Sequence, residues 1–162
     1  MRRRLSLVLC GAVLAVGMSA CSGPSAEAVQ HASAADVAAK PAPAGIHLEE
    51  SAVGSILVDG NGRTLYAFTR DKDGTSSCTG PCIATWPALT AQAPLTTGAG
   101  VDASLLSTVA RTEGATQAVY GGWPLYYYAG DAGAGDIDGQ GVDGAWFVVG
   151  GDGKLVKADP AS

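Results

Sequence analysis

The sequence predicts a mainly β domain, a compact antiparallel sheet structure built from two pseudo-symmetric repeats with little helix. Three observations predict it. Two segments match without a gap at an offset of 60 residues. Short runs rich in β-branched and aromatic residues alternate with Gly-rich turn signals. Glycine, at 23 of 162 residues, is about twice its usual roughly 7% and follows no Gly-X-Y period, which reads as many tight turns.

Along the chain, Met1 to Arg4 form a cationic start and Leu5 to Met18 an apolar run, within signal-peptide range and too short to span a bilayer. Residues 1–20 therefore read as a signal peptide. The run ends in Met18-Ser19-Ala20-Cys21, which resembles the lipobox of bacterial lipoproteins, with Met where Leu is commoner. The resemblance implies cleavage before Cys21, a diacylglyceryl thioether on its sulfur and acylation of the new amino terminus, palmitate included. Two or three acyl chains anchor stably where one is marginal. The alternative is an ordinary secretory signal cut after Ala20. Removing three Arg and no acid from a net charge of −5 leaves −8 for the mature chain. That balance, with no basic patch, excludes a nucleic-acid partner.

Residues 21–47 are Ala-, Pro- and Ser-rich with almost no large apolar side chains, a composition that cannot offset the entropy of ordering. They read as a tether behind the lipidated cysteine. The β domain follows over 48–159, with repeat one at about 53–90 and repeat two at about 113–156. Gly62, Leu65, Tyr66, Phe68, Asp71 and Trp86 correspond to Gly122, Leu125, Tyr126, Tyr128, Asp131 and Trp146. Two segments of about 55 residues rarely bury a sufficient core alone, so one pseudo-symmetric domain is expected. Ile56-Leu57-Val58 and Thr64 to Thr69 flank Asp59-Gly60-Asn61-Gly62, whose Asn-Gly pair suits positive φ. Gln117 to Tyr120 and Leu125 to Tyr128 flank Gly121-Gly122, and Ala145 to Val149 and Lys154 to Val156 flank a third glycine turn. Helix is expected only as a turn or two near Pro81 to Trp86, where Pro suits an early helical position, and at Asp102 to Leu106.

Tyr66-Ala67-Phe68-Thr69-Arg70-Asp71 and Tyr126-Tyr127-Tyr128-Ala129-Gly130-Asp131 resemble the Y-x-[FWY]-x-x-D motif of a family of bacterial lipoproteins known as the secreted repeat of unknown function. Cys78 to Cys82, followed by Trp86-Pro87 and Leu89, is similar to its first repeat. The resemblance spans about 53–155 and implies an envelope lipoprotein. It brings no established activity, cofactor or catalytic residue.

In a strand Tyr66 and Phe68 share one face, as do Tyr126 and Tyr128. Such rings supply the core of a small β domain, or stack on a sugar or quinone. Asp71 and Asp131 fall where the strands run out, where a carboxylate fixes an exit turn by accepting backbone N–H bonds. Cys78 and Cys82 are the only thiols of the folded region. Outside the cytoplasm a disulfide is expected, closing a short loop and contributing roughly 2 kcal/mol; a redox-active pair and a metal site are the alternatives. Asp131, Asp136, Asp138 and Asp143 form a weak calcium candidate, because calcium favours several carboxylates but the EF-hand spacing fails. No cofactor is expected.

The chain has two histidines, His31 in the tether and His47 at its end. Nucleophilic triads and the usual zinc and copper sites lean on imidazole. The expectation is therefore a non-enzymatic binding or structural module, exported and lipid-anchored at the outer face of the cytoplasmic membrane. It is expected to be monomeric, with an envelope protein or a glycan as partner. A redox or electron-transfer accessory using Cys78 and Cys82 is the rival reading.

Overall fold

A computed structural model describes residues 45–91 and 94–159. The signal peptide, Cys21 and most of the tether lie outside the described residues. No described helix is long and apolar enough to cross a membrane.

The order is β1 (Gly45–Ser51), β2 (Gly54–Asp59), β3 (Tyr66–Phe68), α1 (Pro81–Thr85), β4 (Thr96–Thr97), a 3₁₀ turn (Ala103–Leu105), β5 (Leu106–Ala110), β6 (Thr116–Tyr120), β7 (Trp123–Pro124), a second 3₁₀ turn (Val142–Gly144) and β8 (Trp146–Val148). They form three small sheets, β2-β1-β4, β3-β8 and β5-β6-β7. The fold is mainly β, as the turn and strand signals predict.

The two repeats interlock about a pseudo-two-fold axis. Its centre is the pair Tyr66 and Tyr126, sixty residues apart, whose backbones exchange two hydrogen bonds of 2.8 and 2.9 Å. Two flanking bonds are mates. Thr69 N donates to the Ala145 carbonyl and Ala129 N to the Thr85 carbonyl, both at 2.9 Å. Tyr66 pairs with Val148 and Tyr126 with Ala88. The segments on the axis thus take partners from the other repeat, β3 from β8 and Tyr126 from Ala88, while β2-β1-β4 and β5-β6-β7 each form within one repeat.

Side-chain alternation then builds two cores on opposite faces of this layer. Ile46, Leu57, Leu65, Leu125 and Val149 pack on one side with Tyr120. Ile56, Val58, Tyr66, Tyr126, Trp86, Trp146 and Val148 pack on the other. Burial on both faces explains why Ile56-Leu57-Val58 reads as an unbroken apolar run.

Two expectations are corrected. The tether was expected to run to residue 47, but Gly45, Ile46 and His47 belong to β1, and Ile46 is 1% exposed. The repeats correspondingly begin near 45 and 106 rather than 53 and 113. β1 pairs with β2 as β5 pairs with β6, Leu48 opposite Leu57 and Thr108 opposite Ala118. Both strands were missed because their hydrophobic pattern is weak: β1 is mostly half-buried with only Ile46 fully buried, and β5 is an edge strand with three of its five residues exposed. The helical turn expected at Asp102 to Leu106 is present as the three-residue 3₁₀ turn, capped by Asp102, whose Oδ1 accepts from Ser104 N at 2.8 Å. The Gly121-Gly122 turn has φ of 57° and 83°, the double positive-φ geometry of a tight hairpin. At Asp59–Gly62 only Gly62 takes positive φ.

Candidate functional site

The residues matched at an offset of 60 come together on the axis. Tyr66 Oη donates to Asp131 Oδ2 at 2.9 Å, and Tyr126 Oη donates to Asp71 Oδ2 at 2.7 Å. Each tyrosine is clamped by the aspartate of the other repeat. The free carboxylate oxygens fix the exit turns as expected: Asp71 Oδ1 accepts from Ser77 N and Oγ, both at 2.7 Å, and Asp131 Oδ1 from Asp138 N at 3.1 Å. Burial, then the facing carboxylate, pushes the Tyr66 hydroxyl well above its ordinary range. Burial foremost does the same to Tyr126 and Tyr127, and raises the Asp131 carboxyl against the pull of the Tyr66 bond.

Beside these clamps, four rings stack across the axis. Trp86 and Trp146 lie face to face, centroids 3.8 Å apart and planes 2° from parallel. Phe68 covers the outer face of Trp146 at 4.2 Å, and Tyr128 covers that of Trp86 at 4.5 Å. Tyr66 and Tyr126 meet the two indoles edge-on at 5.5 and 5.2 Å. The core role of the aromatics therefore holds for Tyr66, Tyr126, Trp86 and Trp146, all buried, while Phe68 and Tyr128 remain half-buried.

Over the stack opens a cleft of about 380 Å³. Its lining is built from repeat mates: Phe68 with Tyr128, Trp86 with Trp146, Cys82 with Val142 and Thr85 with Ala145. Arg70 and Asp143 add charge at its rim. Because both faces of each indole are covered by other rings, only ring edges can reach the cleft.

The family described as "Secreted repeat of unknown function" matches residues 48–90 and 107–150. The chain belongs to this family. Comparison with curated proteins and with solved structures finds no match. Each matched segment of the secreted repeat carries one tyrosine, one aspartate and one tryptophan of the paired arrangement, so the site exists only where two repeats meet.

The disulfide joins Cys78 and Cys82, with Cα atoms 5.3 Å apart across α1. Cys78 is buried and Cys82 half-buried at the cleft. In the second repeat Asp138 and Val142 stand at these positions, and a 3₁₀ turn replaces α1.

The weak calcium candidates Asp131, Asp136, Asp138 and Asp143 are not gathered into one cluster. Among the described residues no three His, Cys, Asp or Glu side chains gather as a ligand set. Asp136 Oδ2 instead accepts from Ala132 N at 2.9 Å and Gly133 N at 2.8 Å, Asp131 is engaged by Tyr66, and Asp143 faces the cleft.

Sequence reasoning missed Arg111, which is 7% exposed. Its guanidinium donates to Ser76 Oγ at 2.6 Å, Gln117 Oε1 at 2.7 Å and the Cys78 carbonyl at 2.8 Å, and pairs with Glu113 through Nε. Since Tyr126 Oη donates to Asp71, Ser76 Oγ donates to Tyr126 across their 2.6 Å contact. A directed chain, Arg111 to Ser76 to Tyr126 to Asp71, therefore links a buried cation to a buried carboxylate. An isolated Arg between Ala110 and Thr112 gives no sequence signal of this.

Proposed function

We propose that this is a lipid-anchored protein of the cell envelope, held at the outer face of the cytoplasmic membrane through Cys21, whose paired repeats form a non-enzymatic, monomeric binding module. The cleft on the axis carries the reading. It is the place where both repeats contribute equivalent residues beside half-buried rings and free charges. The histidines support a binding role over catalysis. His31 falls in the tether, and His47 sits on β1 3.5 Å from Glu49, outside the cleft lining. The family's description as secreted agrees with export.

The test is capture of partners from detergent-solubilised envelope by the intact lipidated protein, beside Thr85→Trp, which fills the cleft from an exposed position. Partners held by the parent and lost with Thr85→Trp support the module. Identical partner sets contradict it. Cys21→Ala should move the protein from the membrane to the soluble fraction without unfolding the domain, and membrane retention of that variant would refute the anchor.

One observation favours a second reading as redox accessory. Cys82 lines the cleft, within reach of a partner thiolate. A reduction potential below about −300 mV would make the bridge structural, whereas one near −120 mV would match envelope oxidants.

A further inference from the structure

We propose that the cleft binds a small zwitterion of amino-acid or dipeptide size, its carboxylate toward Arg70 and the indole N–H groups, its ammonium toward Asp143. This rests on the binding reading above and names its ligand class.

The donors come first. Trp86 and Trp146 are 4% and 3% exposed, and no hydrogen bond among the described residues uses either indole N–H. Yet among those residues no fully buried side-chain nitrogen or oxygen lacks a partner. Neither indole nitrogen is therefore wholly cut off from solvent, and both residues line the cleft. A ring edge carries the positive rim of the aromatic quadrupole, and an indole N–H at that edge adds a donor. Such a lining favours acceptor oxygens over an apolar or sugar-face ligand.

The charges come second. Arg70 and Asp143 are exposed at the same cleft, and neither joins an ion pair among the described residues. The Arg70 guanidinium lies 5.7 Å from the Phe68 centroid, which holds it near the stack. Asp143 has φ of 55°, flanked by the left-handed Gly141 and Gly144.

The third observation is an asymmetry. Four pairs of lining residues are repeat mates, but the mate of Arg70 is Gly130 and the mate of Asp143 is Ile83. Each repeat thus contributes one charge, and the two are of opposite sign. A simple anion would pair with one charge only and a neutral disaccharide would ion-pair with neither, whereas a molecule with a carboxylate at one end and an ammonium at the other pairs with both. The cleft, about 380 Å³, is at the small end of ligand sites, and an extended dipeptide of about 7 Å fits that scale.

The test follows tryptophan emission of the full-length protein in detergent during titration with L-alanine, L-alanyl-L-alanine, propionate, propylamine and cellobiose. A saturable change with alanine or the dipeptide is expected, at least about tenfold tighter than with propionate or propylamine. Arg70→Gln should weaken the zwitterion about tenfold. Asp143→Asn, which tolerates the left-handed backbone, should erase the preference for zwitterion over propionate. Both positions are exposed, and unchanged near-ultraviolet circular dichroism verifies folding. An absence of saturable response to either zwitterion overturns the proposal. So do equal affinity for cellobiose and parental binding by both variants. If the zwitterions fail while partner capture still depends on an open cleft, the ligand class falls and the binding module stands. If both fail, both readings fall.

Discussion

Tyr66 and Tyr126 occupy equivalent places but unequal surroundings. The Tyr66 hydroxyl donates to Asp131 and accepts only a 3.3 Å bond from Gly139 N, in a contact so close that a Cβ on Gly139 would come within 2.9 Å of the Tyr66 ring. The Tyr126 hydroxyl stands in the chain between Arg111 and Asp71, and Asp71 is 5% exposed. Removing a hydroxyl that leaves a buried partner unsatisfied costs about 1–3 kcal/mol. Tyr126→Phe should therefore destabilise the domain by more than Tyr66→Phe in urea unfolding; equal losses would contradict the chain. Both hydroxyls, with Tyr127, have folded pKa values raised above the ordinary 10.0, first by burial. A group raised in this way contributes stability that is fully present below its unfolded pKa and is lost as pH climbs toward the folded value. Stability should hold up to about pH 10 and fall steeply above it, with the phenolates of Tyr66, Tyr126 and Tyr127 appearing only as the domain unfolds. Phenolate formation by these tyrosines in the folded state would refute their burial.

At the scale of elements, the offset of 60 made the shared face of Tyr66, Phe68, Tyr126 and Tyr128 legible, because strand alternation and ring size are both written in the sequence. The glycine turns were legible for the same reason: Gly121 and Gly122 take the positive φ that the hairpin requires. Strands β1 and β5 were not, since alternation is a burial signal and neither buries a regular face: β1 fully buries Ile46 alone and β5 no residue at all. The exchange of partners between repeats was not legible either. Nothing local says that Tyr66 pairs with Tyr126 rather than within its own repeat. The disulfide belongs to this scale. It closes a four-residue separation around α1, and the second repeat folds its counterpart without a bridge. Replacing both cysteines by Ala should cost roughly 2 kcal/mol and leave the domain folded, read as a lowered urea midpoint; unfolding at neutral pH would show that the bridge does more than restrain the loop.

Across the whole molecule, the stack of Phe68, Trp146, Trp86 and Tyr128 ties the halves together. Trp86→Ala or Trp146→Ala should each cost on the order of 3–5 kcal/mol, enough to threaten a domain of this size, and a parental melting temperature for either would place that indole outside the core. The same axis organises the cleft, so stability and the candidate site share residues. The cleft itself could not be read from the sequence, because Arg70 and Asp143 come to line one opening only once the repeats interlock.

The central claim is that each repeat is completed by the other, and double-mutant cycles on the tyrosine and aspartate pairs test it most directly. Tyr66→Phe combined with Asp131→Asn, and Tyr126→Phe combined with Asp71→Asn, should show coupling of about 0.5–3 kcal/mol in urea unfolding. Tyr66 with Asp71, and Tyr126 with Asp131, should be additive within about 0.5 kcal/mol. Coupling confined to the tyrosine and aspartate of the same repeat would contradict the interlocked fold.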